Sequence, residues 1–190
     1  MKKITFILIA SIIFGCGQIS KPSFDIDLPA GYQLEESDDE YNILTASKYT
    51  DGEIVGMIEI RYSDDWSFST FTNEEYISEM IKTDSFKASA SMMFDNFKIH
   101  SKEKLYLKSV GSCFSSIYSG DYYTNGVRVT NLAVQFVKND KLFTLIGSSF
   151  PDNFSSEHKS FLKSFDTFEL WKNYFILSFL VTLLLDIEGL

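Results

Sequence analysis

Three dipeptides constrain what this chain can fold into. Asp51-Gly52, Asn125-Gly126 and Asn139-Asp140 each stand between two runs of alternating apolar and polar residues. Residues of these types adopt the positive φ that a tight hairpin asks of its central positions, so each dipeptide marks a reversal between antiparallel strands. Strands are predicted over residues 41–48 and 53–62, joined by the first turn. A further strand over 97–105 follows Asp95-Asn96. Residues 112–123, 127–138 and 141–148 then form an antiparallel meander with two tight turns. Within 53–62, Ile54, Gly56, Ile58, Ile60 and Tyr62 share one face. Val55 and Met57 begin the other face, which ends in Glu59 and Arg61.

Two helices interrupt this pattern. Thr72-Asn73-Glu74-Glu75 has the spacing of a capping box, in which Thr72 accepts from the backbone at Glu75 while Glu75 reaches back. Phe71 and Tyr76 occupy hydrophobic-staple positions, and Ile77, Met80 and Ile81 supply an inward stripe. Where this helix ends within 85–93 is left open. After Pro151, Phe154, Phe161, Leu162 and Phe165 recur at the spacing of one buried helical face. The expected fold class is therefore α+β, an antiparallel sheet of about six to seven strands flanked by helices. Residues 24–28 alternate apolar and acidic before Pro29-Ala30-Gly31-Tyr32 turns the chain.

The N-terminus gives an address. Met1-Lys2-Lys3 is a short basic start, residues 4–14 are almost unbroken apolar, and Gly15 stands immediately before Cys16. The apolar run is short for a membrane span and has the flanks of a signal peptide. It resembles the lipobox signal of bacterial lipoproteins, although Phe14 is bulkier than the small residue usual there. That resemblance implies cleavage after residue 15 and lipid on Cys16. An acyl chain contributes about 0.8 kcal/mol per buried methylene, and two or more chains make an anchor stable. The other reading is a plain secretory signal with Cys16 incidental. Residues 16–23 form the lipidated end and a linker, of which 17–23 reach about 23–25 Å at full stretch.

With the signal removed and Cys16 taken up by lipid, Cys113 is the one free thiol left, so no disulfide can hold the exported domain and its core must suffice. Cys113 lies in an apolar strand and reads as a buried thiol rather than a nucleophile. The chain has 17 basic and 26 acidic residues, net −9, and becomes more acidic once Lys2 and Lys3 leave with the signal. Such a balance disfavours nucleic acid and broad attraction to anionic headgroups.

The order of elements resembles the PsbP-like (DcrB-like) domain over roughly residues 24–170. Residues 24–32, ending in Leu28-Pro29-Ala30-Gly31-Tyr32, are similar to that family's opening. Thr72-Asn73-Glu74-Glu75-Tyr76 is similar to its first helix start. Lys141 to Leu145, followed by Phe161-Leu162-Lys163-Ser164-Phe165, is similar to its closing strand and helix. The resemblance implies a PsbP-like sandwich with an accessory or binding role, and it transfers no functional residue.

Chemistry-bearing motifs are sparse. His100 and His158 stand apart from ligand partners at metal spacing, and no phosphate-cradling glycine loop is recognised. No cofactor or metal is therefore expected. Ser156-Glu157-His158-Lys159 and Ser160-Phe161-Leu162-Lys163 both fit Ser-x-x-Lys without the companion motifs of penicillin-recognising enzymes. Asp38-Asp39-Glu40 and Asp64-Asp65 lack calcium-loop spacing and read as solvated charge. Trp66 and Phe68 sit among small polar residues in a connecting loop. They are either anchors for a partner or rings folded back onto the sheet edge, the second reading being favoured.

Beyond the domain, residues 171–190 carry an apolar tail too short to span a membrane. It stands open as a membrane contact, a packed helix, a partner contact or an out-of-frame extension. The expected role is that of a membrane-anchored envelope lipoprotein, on the outer membrane's periplasmic face if the organism is Gram-negative, with a possible envelope protein partner and no catalysis. The alternative is an envelope hydrolase whose site is assembled from distant residues. A catalytic domain should show a deep pocket of converging titratable groups, and a binding module a flatter apolar patch.

Overall fold

The computed structural model describes residues 24–36 and 39–170, apart from the Trp66 side chain. Cys16, the linker and the 171–190 tail lie outside the described residues.

Seven strands form one antiparallel sheet: β2 (Tyr32–Glu35), β3 (Asn42–Thr50), β4 (Glu53–Ser63), β5 (Phe94–Leu107), β6 (Gly111–Tyr122), β7 (Arg128–Lys138) and β8 (Lys141–Ser149). Their spatial order is β2-β3-β4-β8-β7-β6-β5. Two short strands, β1 (Phe24–Asp25) and β9 (Glu169–Leu170), pair separately, with Phe24 opposite Leu170. The helices are α1 (Asn73–Lys82), α2 (Ser85–Ala90) and α3 (Pro151–Phe165), with 3-10 turns at Trp66–Thr70 and Ser91–Met93. The α+β class and the flanked antiparallel sheet follow the expectation.

Turn chemistry explains the hairpins. Asp51 and Gly52 have φ of 54° and 84°, and Asn139 and Asp140 have 53° and 58°, so both turns are the mirror-image type that suits twisted strands. The third turn differs from expectation. Tyr122 and Val127 close a longer loop, in which the Gly126 amide donates to the Tyr122 carbonyl at 2.7 Å, so the β6–β7 turn is not a two-residue one. Gly126 supplies the positive φ of 70° near its end.

Each sheet face carries its own core. On one side Ile58, Ile60, Leu132, Val134, Phe136, Phe143 and Leu145 meet Phe161 and Phe165 of α3. Burying a Phe or Leu contributes about 1.5–3 kcal/mol, so this layer is the main source of stability. Tyr32 and Lys48 clasp α3 at Glu157, at 3.1 and 2.6 Å. On the other side Tyr76, Ile77, Phe86 and Ala90 of α1 and α2 cover Phe114, Tyr118 and Ala133.

The capping box forms as predicted. The Glu75 amide donates to Thr72 Oγ1 at 3.3 Å, and the Thr72 amide donates to Glu75 Oε2 at 2.8 Å. The staple does not form as predicted. The ring against Tyr76 is Phe68, 6.3 Å away edge-on, while Phe71 is 44% exposed. A 3-10 turn over Trp66–Thr70, capped by Asp65, brings Phe68 round to that position. The first helix stops at Lys82, and α2 begins separately at Ser85.

Candidate functional site

Register brings distant residues together on the face that α1 and α2 share. Met57 stands opposite Ser148, Ser148 opposite Asn131, and Asn131 opposite Tyr118, a row across β4, β8, β7 and β6. Glu59 opposite Ile146 and Arg61 opposite Thr144 continue the β4–β8 side of the next rows. The helices cover only the β5–β7 part. Tyr76 donates to Gln135 at 2.9 Å, and Asn73 holds both the Ser112 carbonyl and the Val137 amide. Beside them lies a cavity of about 300 Å³ lined by Met57, Glu59, Arg61, Tyr118, Tyr122 and Asn131, among others.

Its polar groups are unevenly satisfied. Arg61 Nη2 donates to Glu59 Oε1 at 2.9 Å, but Arg61 Nε is buried with no hydrogen-bond partner. Asn131 is fully buried, its Oδ1 accepts from Ser148 Oγ at 2.5 Å, and its Nδ2 has no partner. A buried donor left unmatched costs about 1–3 kcal/mol. Both residues line the cavity, while the two unmatched nitrogens themselves sit behind its surface.

Burial, with Glu59's negative charge added, raises Tyr122 above the ordinary phenol range. Burial chiefly raises Tyr118. Both phenols therefore stay protonated and act as neutral hydrogen-bonding groups. Burial opposes the charge on Arg61, and Glu59, with Asp39 and Tyr122, more than restores it.

A second cavity of about 310 Å³ adjoins the first and shares Met57, Tyr122 and Asn125 with it. Ile54, Val55, Val127, Val129 and Phe150 make its wall mostly apolar. Together the two cavities form a trough with a polar and an apolar end. At its rim, Met93 is 44% exposed and Ile54 46%. The trough has both the converging titratable groups expected of a catalytic domain and the apolar surface expected of a binding module.

The residues singled out by sequence lie elsewhere. Phe68 is half-buried against Tyr76, and the Trp66 side chain lies outside the described part. Cys113 is buried, and burial pushes its thiol up to about 12. His100 shares a hydrogen bond with Ser119 at 2.8 Å, and the His158 ring lies 5.4 Å from Phe154. Asp64 pairs with Lys141 at 3.7 Å, and Asp65 accepts from the Ser67 amide. Among the described residues, no group of three or more His, Cys, Asp or Glu could hold a metal, and no helix is long and apolar enough to cross a membrane. Sequence inspection missed Asn131 and the paired role of Glu59 and Arg61. The available signal was polar residues recurring on one face of otherwise apolar strands: Asn131 and Gln135 in β7, Glu59 and Arg61 in β4.

The seven-stranded sheet between one long C-terminal helix and a pair of shorter ones is the PsbP-like fold. The chain matches cyanobacterial PsbP from Synechocystis with a TM-score of 0.50 at 14% identity, covering 82% of this chain and 97% of that one. It matches LpqN of Mycobacterium tuberculosis, involved in cell envelope biogenesis, with a TM-score of 0.51 at 13% identity, covering 83% and 88%. At these identities the likeness is one of fold. No protein-family model matches the sequence, and no curated protein matches it.

Proposed function

We propose that this chain is a cell-envelope protein, held to a membrane by lipid on Cys16, whose domain binds a ligand in the trough without transforming it. The observation that carries the binding role is the cluster of Glu59, Arg61, Tyr118 and Tyr122 beside an apolar extension. Recognition sites combine a few placed polar groups with a largely apolar wall in this way. LpqN, whose fold this chain shares, is involved in cell envelope biogenesis, and the same compartment is proposed here.

The convergence of Glu59, Arg61, Tyr118 and Tyr122 favours a second reading, a catalytic pocket. Binding accounts better for their state. Glu59 is tied to Arg61, and both tyrosines are pushed away from the neutral range in which general acids and bases work.

Native mass spectrometry of the full chain, gently extracted from membranes, tests this function. The parent should retain an added mass, and Met57→Trp, which fills the junction of the two cavities, should lose it. Indistinguishable spectra from the two proteins would overturn the binding role. Conversion of the retained molecule during incubation would replace it with the catalytic one.

A further inference from the structure

We infer that the trough is built for an uncharged amphiphile, a single acyl chain joined through an ester or amide to a polar head. This rests on the binding function above and names the ligand class for the same trough.

The polar end specifies the linkage. The Arg61 guanidinium has donors and no acceptor, and it lines the cavity with the Tyr118 and Tyr122 hydroxyls. Such a lining calls for an acceptor, and a carbonyl oxygen is one that carries no charge. The charge balance specifies neutrality. Arg61 is already matched by Glu59 at 2.9 Å, and the Asp39 carboxylate acts on it as well. A carboxylate ligand would enter a cavity with no uncompensated positive charge, and burying an unpaired charge is far costlier than burying a hydrogen-bonded carbonyl. An ammonium ligand would meet Arg61 itself.

The apolar end specifies the chain. Ile54, Val55, Val127, Val129 and Phe150 surround about 310 Å³ that continues from the polar cavity through Met57 and Tyr122. One molecule can therefore satisfy both ends at once. Exposed Met93 and Ile54 at the rim give an apolar threshold, and methionine is a side chain that adapts to irregular apolar surfaces.

The test uses the full-length chain in isolated membranes and two photoreactive probes supplied from the aqueous phase. One is a diazirine-bearing monolauroylglycerol and the other the matching laurate. The neutral probe should crosslink within residues 53–57 and 127–131 about tenfold more than laurate. Arg61→Met should cut labelling by the neutral probe itself about tenfold, the equivalent of losing about one hydrogen bond to a charged group. Ile54 is 46% exposed, so Ile54→Glu leaves the fold intact and should reduce labelling of the apolar end by both probes. Equal or stronger labelling by laurate overturns the inference. So does labelling by neither probe; if Met57→Trp still strips a retained mass in that case, the binding function stands and the amphiphile alone is rejected.

Discussion

Gly147 and Phe161 meet where the C-terminal helix rests on the sheet, and the fit leaves no room for a side chain on the strand. A Cβ at Gly147 would lie within 3.0 Å of three Phe161 ring atoms. Gly147→Ala should therefore destabilise the protein by about 1–3 kcal/mol, since a core ring cannot move aside without shifting α3. Chemical denaturation of the variant measures this, and Phe161→Leu in the same chain should recover part of the loss. An unchanged midpoint for Gly147→Ala would show that the helix gives way.

Thr72→Ala removes one half of the capping box and leaves the Glu75 amide unmatched. The expected cost is about 0.5–2 kcal/mol in the same denaturation assay. Thr72→Ser, which keeps the hydroxyl, should restore most of it. If alanine and serine behave alike, the cap contributes nothing to stability.

Acid should weaken the contact between the β5–β6 turn and the end of α3. Asp166 accepts the Lys108 backbone amide at 2.8 Å, and that hydrogen bond, with the Lys108 ammonium at 3.2 Å, holds its carboxyl below the usual carboxylate range. A carboxylate depressed in the folded state stabilises it above the unfolded pKa of about 3.9, and that contribution is lost as pH falls through the folded value. Melting temperature should be level from neutrality to about pH 5 and decline below about pH 4. Asp166→Asn should show a shallower decline, and parallel profiles for the two proteins would remove Asp166 from the account.

Much of this fold was legible in the sequence because its signals are local. Asp51-Gly52 and Asn139-Asp140 carry their turn geometry in their own φ preferences, and the Thr72–Glu75 box and the Phe161/Phe165 stripe need only neighbouring residues. What was not legible depends on partners far along the chain. Phe24–Asp25 is a strand only because Glu169–Leu170 pairs with it. The trough was hidden for the same reason, since Arg61, Asn131 and Tyr122 come from three strands and share a cavity only through register. Phe68 displaced Phe71 as the partner of Tyr76 because a 3-10 turn, which spacing alone did not reveal, lies between them and the strand.

Cys113 should be inert in the native protein. With its thiol pushed up to about 12, only about one molecule in ten thousand is thiolate at pH 8, the form that reacts. A maleimide should label Cys113 on unfolding and not before. Rapid native labelling, mapped to that residue by mass spectrometry, would contradict its burial.

Cys16→Ser should leave an uncut precursor that takes up no labelled fatty acid, as the lipid anchor proposed for this chain requires. Equal labelling of variant and parent would sink the anchor while leaving the domain's binding role untouched.

Because Phe24 pairs with Leu170, the polypeptide enters and leaves the domain side by side, next to the turn where Ser109 Oγ donates to the Phe168 carbonyl. Tyr122, Asn125 and Val127 of the trough lie at the opposite pole, and β6, running from Gly111 to Tyr122 between the two, spans roughly 36 Å. With the lipid anchor proposed on Cys16, a tether at the entry point would leave these residues at the end of the domain far from its attachment. Cargo would be exchanged with the aqueous gap or with a facing surface, and the length of the leash before Phe24 would set which surfaces come within reach.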